Sequence, residues 1–338
     1  MDGSAHFYDR QADDLHVMRA HDSTFVAQRT LKAAIGCIGV GLHSGRKVSL
    51  TLRPGAANTG IVFRRTDLGL DIPARFDHVA DTRLCTVLAD PRRPDARVGT
   101  VEHVMAALAG SLVDNAVVEV DGPEVPVLDG SAAPFLFLIE CAGIAAQDAP
   151  AQVIEVLRPV SVRDGAAAAW LRPARPGAQG LDASMSIDFE AAAIGRQSLS
   201  TQVTPESFRR GLAQARTFTQ LHEIEALRAV GLALGGSLDN AVVVDGARVL
   251  NPGGLRMKDE FVRHKLLDLV GDLALAGASL RGRVEAHRSG HALNNRLLHA
   301  LFADPANWRM VEAGAEPLPA PVPAGWQNVR LPVAAAPC

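Results

Sequence analysis

Apolar residues recur at helical spacing through residues 259–273, which predicts one long amphipathic helix. The apolar stripe of this helix consists of Val262, Leu266, Leu269, Val270 and Leu273. At about 100° per residue, His264, Asp268 and Asp272 fall together on the opposite face. A histidine and a carboxylate four positions apart can bind the same metal ion, because such side chains are neighbours on a helix. The alternative for this face is a solvated surface that carries a His–Asp ion pair.

A second helix is predicted over residues 100–110, with Thr100 as its N-cap and Gly110 at its end. Glu102 and His103 stand in its first turn. Adjacent residues of a helix point about 100° apart, so these two side chains do not face each other. They can still flank one metal ion, with the histidine as ligand and the glutamate near the attacking water. The alternative is an acidic residue that favours the helix dipole beside an exposed histidine.

Short alternating stretches predict β-strands elsewhere, among them residues 47–54, 61–65 and 114–122. Four glycines between residues 36 and 45 predict a tight, exposed connection. The stretch that follows alternates like a strand and does not open a helix, which excludes a dinucleotide-binding loop. His43 lies in this connection and is a candidate for lining a site.

One short pattern occurs twice, since Asp-Asn-Ala-Val-Val followed by Val-Asp-Gly is found at residues 114–122 and again at 239–246. We infer an α+β fold of two similar domains, each a mostly antiparallel sheet with two helices on one face. Both helix pairs need cover for their apolar faces, so we expect the helices to pack together between the sheets. The predicted parts are a flexible extension (1–27), a first domain (28–147), a linker (147–152), a second domain (153–312) and a Pro/Ala-rich tail (313–338).

Composition narrows the class of protein. The chain has 338 residues, of which 48% are hydrophobic and 21% charged, as in an ordinary soluble enzyme. Its net charge is −3 and no long basic run occurs, which argues against nucleic-acid binding. The four cysteines are scattered and no Cys-x-x-Cys occurs, so we expect no disulfide framework and a reducing, cytoplasmic location. No apolar run is long enough to span a bilayer.

Three groups of chemically active residues now stand on helices or helix starts. They are the pair Glu102 and His103, the face of His264, Asp268 and Asp272, and a histidine further on, His291. If the helices meet between the sheets, these groups meet at the cleft between the domains. Two histidines and one carboxylate with an open fourth position form a catalytic zinc set. No His-Glu-x-x-His occurs, which disfavours an ordinary zinc protease.

Six motifs are shared with a known family. They are Gly-Val-Gly-Leu-His-Ser-Gly (39–45), Thr-Val-Glu-His (100–103), Asp-Gly-Ser-Ala-Ala-Pro-Phe (129–135), Ala-Arg-Thr-Phe (215–218), Glu-Phe-Val-Arg-His-Lys-Leu-Leu-Asp (260–268) and Ser-Gly-His-Ala-Leu-Asn-Asn (289–295). In order and across both halves, from about residue 28 to residue 308, the chain resembles the bacterial UDP-3-O-acyl-N-acetylglucosamine deacetylases. The resemblance implies a zinc-dependent amidohydrolase that removes acetate from a UDP-linked, 3-O-acylated amino sugar, the committed step of lipid A biosynthesis.

The resemblance also implies roles for single residues. The zinc ligands would be His103, His264 and Asp268. The catalytic residues would be Glu102 as general base, His291 as general acid, Asp272 as the carboxylate that orients it, and Thr217 at the oxyanion. Phe218 and Lys265 would contact the substrate. Leu42, His43 and Arg288 are further candidates for substrate contacts beyond the resemblance, and the charges of Lys265 and Arg288 suit a diphosphate. The acyl chain would follow a strand–helix–strand insert within residues 216–244.

Two alternatives stay open at this point. One is a non-catalytic homologue that binds a nucleotide-sugar or acyl ligand without turnover. The other is a deacetylase of the same chemistry that acts on a different N-acyl sugar. We further expect a monomer with no nucleic-acid partner.

Overall fold

The computed structural model of this protein describes residues 25–314. The predicted extension (1–27) and tail (313–338) lie almost wholly outside the described residues and stay predictions. Within the described range, no helix has both the length and the apolarity needed to cross a bilayer. The cysteines in that range, Cys37, Cys85 and Cys141, are free thiols.

The first half is built on a five-stranded sheet. Its elements are β1 (Ala27–Leu31), β2 (Ile35–Val40), β3 (Lys47–Pro54), β4 (Ile61–Arg65), β5 (Leu70–Pro73), β6 (Val79–Asp81), β7 (Val87–Asp90), β8 (Arg93–Val98), α1 (Glu102–Gly110), β9 (Ala116–Val120), α2 (Ala133–Ala142) and β10 (Ile144–Pro150). The sheet has the order β2-β3-β9-β4-β5, in which only the pair β4 and β9 is parallel. A small sheet of β6, β7 and β8 and the antiparallel pair of β1 and β10 complete this half.

The second half follows the same plan. Its elements are β11 (Gln152–Val156), β12 (Val160–Asp164), β13 (Ala167–Arg172), β14 (Leu181–Asp188), β15 (Arg196–Val203), α3 (Pro205–Gly211), β16 (Phe218–Gln220), α4 (Leu221–Ala229), β17 (Val242–Asp245), β18 (Arg248–Val249), α5 (Glu260–Ala274), β19 (Ser279–His287), α6 (His291–Phe302) and β20 (Trp308–Glu312). Strands pair in the order β12-β13-β19-β14-β15, and only β14 and β19 among these are parallel. Strand β11 adds to the start of β19, and β20 pairs with β11.

These two sets of five strands have the same order, with the third and fourth strands parallel in each, which confirms the predicted α+β fold of two similar halves. The repeated pattern that suggested this was misleading in detail. Its first copy forms β9 in the centre of the first sheet, whereas its second copy forms β17, which pairs with β16 and β18 in a separate small sheet. The true counterpart of β9 is β19. A short apolar strand bounded by Asp-Asn and Asp-Gly turn residues is a generic solution, so it recurs without equivalence.

The helices pack between the sheets, as predicted. Helix α5 packs against α1, α6, β14, β15 and β19. Helix α2 packs against α1 and β2, and α6 packs against β12 and β13. Apolar residues of α1 and α5 form the centre of one continuous core: Val104, Met105, Leu108, Val262, Leu266, Leu269 and Leu273. The contact between α1 and α5 thus lies at the centre of the molecule, and the polar residues of these two helices include the predicted metal ligands.

Two local predictions were wrong. Gly36 and Gly39 lie within strand β2, where an added Cβ would stand 2.8 Å from the Leu50 carbonyl oxygen and 2.8 Å from Pro126 Cβ, so close neighbours favour glycine at both positions. Helix α1 begins after Val101 and not after Thr100, because Thr100 adopts a left-handed φ of 56° and donates its hydroxyl to Glu124 at 2.9 Å. Strands β10 and β11 occupy almost all of the stretch 147–152, whose role as a linker between domains stays a prediction.

Candidate active site

A cavity of about 190 Å³ lies where the two halves meet. Both halves line it, and the lining contains most of the predicted site residues: Leu42, His43, Glu102, His103, Thr217, Phe218, His264, Lys265, Asp268 and His291. Asp272 stands directly behind His291 and binds it. Arg288 is the exception, since its side chain is exposed and is not part of the lining. The structure thus brings together residues up to 249 positions apart in the chain (Leu42 and His291).

Three buried donor groups form a cluster in this cavity. The ligand atoms of His103, His264 and Asp268 all lie within 4.8 Å of one another. Asp268 Oδ1 is 3.3 Å from His264 Nε2 and 3.6 Å from His103 Nε2. A tetrahedral ion with bonds of about 2.0–2.1 Å separates its ligands by roughly 3.3–3.4 Å. The spacing of this cluster therefore suits such an ion.

The hydrogen bonds of the cluster also fit a bound cation. Among the described residues, the buried atoms Asp268 Oδ1 and His103 Nδ1 have no hydrogen-bond partner. A buried carboxylate oxygen without a partner is costly, and a metal ion removes that cost. Lys265 Nζ donates to the other oxygen, Asp268 Oδ2, at 2.8 Å, which leaves Oδ1 to face the two imidazoles. The residues present fit a dication held by two histidines and one aspartate.

Backbone contacts fix the orientation of His264. Its Nδ1 donates to the carbonyl oxygen of Ala215 at 3.0 Å, so Nε2 carries the lone pair that faces Asp268. Ala215 is held in place because the next residue, Arg216, forms a buried bidentate ion pair with Glu260 at the start of α5 (2.8 and 3.1 Å). The Ala-Arg-Thr-Phe segment (215–218), called the strap below, is therefore anchored to helix α5 and orients His264 on that helix.

Burial and charge set the protonation of the cluster. Burial lowers the pKa of His264 to about 4, so its imidazole is neutral at pH 7. Burial alone would raise the pKa of Asp268, but the nearby His264 and Lys265 hold it well below its usual range. A neutral imidazole and an ionised carboxylate are the forms that bind a metal ion.

Glu102 lies at the first turn of α1, beside His103, and its side chain is 4% exposed. Burial raises the pKa of this carboxyl above its ordinary value, although His291 and His103 oppose the shift. One carboxylate oxygen, Oε2, accepts the backbone N–H of Thr86 at 3.0 Å. A buried glutamate with a raised pKa is suited to accepting a proton near neutral pH.

His291 is paired with a carboxylate. Its Nδ1 donates to Asp272 Oδ2 at 2.8 Å, so Nε2 is the nitrogen left for other chemistry. Burial alone would lower the pKa of His291, but the charge of Asp272 and this hydrogen bond outweigh it and raise the pKa to about 9. The imidazole is therefore cationic at pH 7. A charged histidine opposite a buried glutamate gives the cavity an acid and a base.

Thr217 and Phe218 reach the cavity from the start of the insert. The Thr217 backbone crosses the cleft and donates to the carbonyl oxygen of Gly130 at 2.8 Å. Gly130 has a φ of 82°, and a Cβ there would stand 2.0 Å from the Asn240 carbonyl oxygen, so only glycine fits. The Phe218 ring packs edge-on against Phe261 with centroids 5.0 Å apart. The Asp-Gly-Ser motif thus supports Thr217 across the domain boundary.

The glycine-rich stretch delivers Leu42 and His43 to the opposite wall. Glu124, which is 5% exposed, accepts the backbone N–H groups of His43 and Ser44 at 2.9 Å each. The same carboxylate accepts the hydroxyl of Thr100, next to the start of α1. Burial lowers the pKa of His43, and neither ring nitrogen has a partner among the described residues. This loop is therefore held rigidly, with a neutral, unpaired imidazole at the cavity.

The sequence did not reveal the groups that support the site. Thr86 donates to Asp272 Oδ1 at 2.6 Å, and Asn294 donates to Asp272 Oδ2 at 2.8 Å. Ala215 contributes only its carbonyl group. Asn294 lies one helical turn after His291, a spacing that signals a shared partner. Thr86 lies 186 positions from Asp272 in an irregular segment, where local spacing carries no signal.

A larger cavity of about 300 Å³ lies elsewhere between the halves, at the far ends of α1 and α5. Apolar side chains such as Met105, Leu108 and Leu273 make up much of its lining. No histidine, lysine or arginine lines it in the described part of the chain. The smaller cavity is therefore the candidate site, because it holds the His103–His264–Asp268 cluster together with Glu102, Lys265 and His291.

A buried His–His–Asp cluster flanked by a glutamate and a carboxylate-paired histidine defines a class, the metal-dependent hydrolases. Comparison with known proteins is more specific. Residues 28–303 match the family model LpxC: UDP-3-O-acyl N-acetylglycosamine deacetylase, and the chain belongs to this family. The family inferred from six motifs is thereby confirmed.

Curated relatives align with this chain over nearly their whole length. The UDP-3-O-acyl-N-acetylglucosamine deacetylase of Idiomarina loihiensis is 49% identical over 301 residues, which cover 88% of this chain and 96% of the relative. The protein of the same name from Acidithiobacillus ferrooxidans is 50% identical over 291 residues, covering 85% and 93%. That from Anaeromyxobacter dehalogenans is 50% identical over 301 residues, covering 88% and 96%.

Proposed function

We propose that this protein hydrolyses the acetamide of a UDP-3-O-acyl-N-acetylglucosamine, giving acetate and UDP-3-O-acyl-glucosamine, the committed step of lipid A biosynthesis. Family membership and the names of relatives at about half identity support this substrate. The observation that carries the chemistry is the buried cluster of His103, His264 and Asp268 between Glu102 and His291. The protein is an enzyme of the amidohydrolase class.

Zinc is the metal we propose for the cluster, held by His103, His264 and Asp268. Two imidazoles and one carboxylate are a donor set that zinc favours in catalytic sites. When bound, zinc would acidify water to a pKa near 7 and polarise the acetamide carbonyl. Lys265, which pairs with Asp268 Oδ2, would keep the aspartate ionised and oriented.

Glu102 and His291 would move the protons. Glu102 accepts the proton of the attacking water, since its raised pKa makes it a competent base near neutral pH. His291 is cationic at pH 7, so it can stabilise the developing oxyanion and then protonate the amine that leaves. Asp272 orients the imidazole through Nδ1 and leaves the Nε2 proton for the substrate. Amide hydrolysis needs both transfers, and these two groups supply them.

Thr217 is the further group that we propose for the oxyanion. Its backbone is fixed by hydrogen bonds on both sides, to Gly130 and from Val242, at 2.8 Å each. A rigid hydroxyl donor costs little reorganisation as charge develops, which favours the transition state over the bound amide. Phe218, packed against Phe261, would contact the sugar.

The rest of the substrate would extend along the cleft from this centre. Residues 216–244 contain β16, α4 and the start of β17, the strand–helix–strand segment expected of an acyl-binding insert. Large apolar side chains are exposed on and around α4: Leu221, Val230, Leu234 and Leu238. We assign the acyl chain to this face and propose Leu42 and His43 on the opposite wall as substrate contacts. Lys265 and the exposed Arg288 would bind the diphosphate.

Three further parts of the proposal concern the setting of the enzyme. It would act in the cytoplasm, as a monomer and without a nucleic-acid partner. The free thiols of the described residues fit a reducing compartment.

Acetate release from the UDP-sugar tests the proposed function. Purified protein should release acetate and form the free amine, detected by mass spectrometry, and a chelator should stop the reaction. Glu102→Gln should lower kcat by about 10²–10⁴-fold, the usual contribution of a general base. Glu206→Gln, the same change at an exposed site on α3, is the control and should leave kcat unchanged. Undiminished acetate release by the Glu102 variant would contradict the mechanism, and no release by the wild type would contradict the function.

A further inference from the structure

Thr86 uses all of its polar groups within the active-site framework. Its hydroxyl donates to Asp272 Oδ1 at 2.6 Å, and its backbone N–H donates to Glu102 Oε2 at 3.0 Å. Its carbonyl oxygen accepts the N–H of Val101, the residue that precedes α1, at 3.4 Å. Thr86 itself is 1% exposed and does not line the cavity. It therefore touches the residues proposed as base and as partner of the acid, without access to substrate.

The position of Thr86 makes this arrangement more than a local packing contact. Thr86 lies in the first half, between β6 and β7, whereas Asp272 lies on α5 in the second half. Its hydroxyl hydrogen bond thus crosses the domain boundary at the level of the reaction centre. A shift of one half against the other would break it.

The Thr86 hydroxyl also determines which carboxylate oxygen of Asp272 is left for the other hydrogen-bond donors. With Oδ1 taken by Thr86, both His291 and Asn294 bind the other oxygen, Oδ2, at 2.8 Å. The Asn294 side chain is fixed in turn, because its Oδ1 accepts the hydroxyl of Ser289 at 2.6 Å. Asp272 is 2% exposed, so no solvent can replace a lost donor freely. Without the Thr86 hydroxyl, only the contacts to Oδ2 hold the carboxylate, so its orientation, and with it the direction of His291, is less tightly fixed.

We propose that Thr86 is a positioning residue that couples the general base to the His291–Asp272 pair across the two halves of the molecule. Its backbone N–H orients the Glu102 carboxylate, and its hydroxyl fixes the rotamer of Asp272. The backbone part survives any side-chain substitution, so the hydroxyl can be tested separately. The inference rests on the proposed function.

Thr86→Val keeps the size of the side chain and the backbone contact to Glu102 but removes the hydroxyl. Loss of a buried orienting partner typically reduces activity by about 10–100-fold, and we expect that loss in kcat, with KM and zinc content within about 2-fold of wild type. Thr86→Ser restores the donor and should recover most of kcat. In the Asp272→Asn background, Thr86→Val should add little further loss, because both changes disable the same unit.

Thr30→Val is the matched control. Thr30 is also a buried threonine, whose hydroxyl donates to the Asn115 carbonyl oxygen at 2.7 Å, but it lies in β1, outside the cavity lining. This variant should lose thermal stability without a loss in kcat. If Thr86→Val does not fold, Thr86→Ala removes the same hydroxyl without adding an apolar branch and replaces it in every comparison.

The outcomes separate this inference from the proposed function. If the wild type releases acetate and folded Thr86→Val keeps its kcat, only the role of Thr86 is overturned. A full additional loss in the Asp272→Asn background, or loss of zinc, would also overturn it, because Thr86 would then act on something else. If the wild type itself releases no acetate from the UDP-sugar, the proposed function fails first.

Discussion

Gly271 lies where α5 crosses α1, and its missing side chain allows the two helices, and the site residues they carry, to approach closely. A Cβ at Gly271 would stand 2.0 Å from the carbonyl oxygen of Glu102, 2.9 Å from the carbonyl carbon of Glu102 and 3.2 Å from the backbone nitrogen of Ala106. All three atoms belong to the backbone of α1, so no side-chain rotation relieves the overlap. Gly271→Ala should therefore push the helices apart.

The size of the shift follows from these distances. Carbon–oxygen contacts between packed backbones lie at about 3.3–3.6 Å, so α1 must retreat by roughly 1.3–1.6 Å from the 2.0 Å contact. Helix α1 carries Glu102 and His103, whereas α5 carries Asp268, now 3.6 Å from His103 Nε2. A misplacement of about 1 Å costs on the order of 10²-fold in rate. The overpacking itself costs about 1–3 kcal/mol of stability, which leaves room for a folded protein.

The assay compares kcat for acetate release, zinc affinity and thermal stability in Gly271→Ala and in Gly253→Ala. Gly253 has no atom within 4 Å of an added Cβ and no left-handed φ, so its variant should resemble wild type in all three. Gly271→Ala should lose about 10²-fold in kcat and bind zinc more weakly while still folding. A folded Gly271→Ala protein with wild-type kcat and zinc affinity would refute the claim that the contact between α1 and α5 sets the spacing of the site residues.

Three other changes test separate parts of the site. Asp272→Asn removes the charge that raises the pKa of His291, so the pKa should fall by about 1–3 units. In the proposed mechanism the protonated imidazole is the active form, and it is lost as pH rises through its pKa. The alkaline limb of kcat/KM should therefore move to lower pH; an unmoved limb would contradict the pairing. His291→Ala should lower kcat strongly with zinc still bound, as measured by metal analysis, and loss of zinc would show that the residue is a ligand. Arg216→Ala removes the charge partner of the buried Glu260, which still accepts the backbone N–H groups of residues 216 and 256, so it should cost about 3–5 kcal/mol in denaturant unfolding. An effect below about 1 kcal/mol would mean that the strap is not held by this pair.

Local periodicity predicted the most informative element well. The helical spacing of residues 259–273 placed His264, Asp268 and Asp272 on one face, and α5 carries the first two into the donor cluster and the third to His291. Periodicity works here because α5 is long and its apolar stripe is buried against the core. His103 is different, since its approach to Asp268 depends on a helix from the other half. Its place in a predicted helix made it a candidate ligand, and only the family motifs assigned it to the same metal ion as His264 and Asp268.

Interactions distant in sequence explain what was missed. Thr100 has the residue type of an N-cap, but the buried Glu124 takes its hydroxyl and the backbone bends to a positive φ, so tertiary contact overrides local preference. Thr86 shows no pattern in its own neighbourhood, because its partners come from two helices of different halves. The repeated Asp-Asn-Ala-Val-Val pattern predicted the duplicated fold correctly from strands that are not equivalent.

Zinc titration of the metal-free protein tests the central claim most directly. Acetate release from UDP-3-O-acyl-N-acetylglucosamine should rise in proportion to added zinc and level off at about one ion per chain, the capacity of a single His103–His264–Asp268 cluster. A matched titration of His264→Ala should show weak binding and no comparable rise. Full acetate release by the metal-free wild type, or equal titrations of wild type and His264→Ala, would contradict the assignment of this cluster as the catalytic centre.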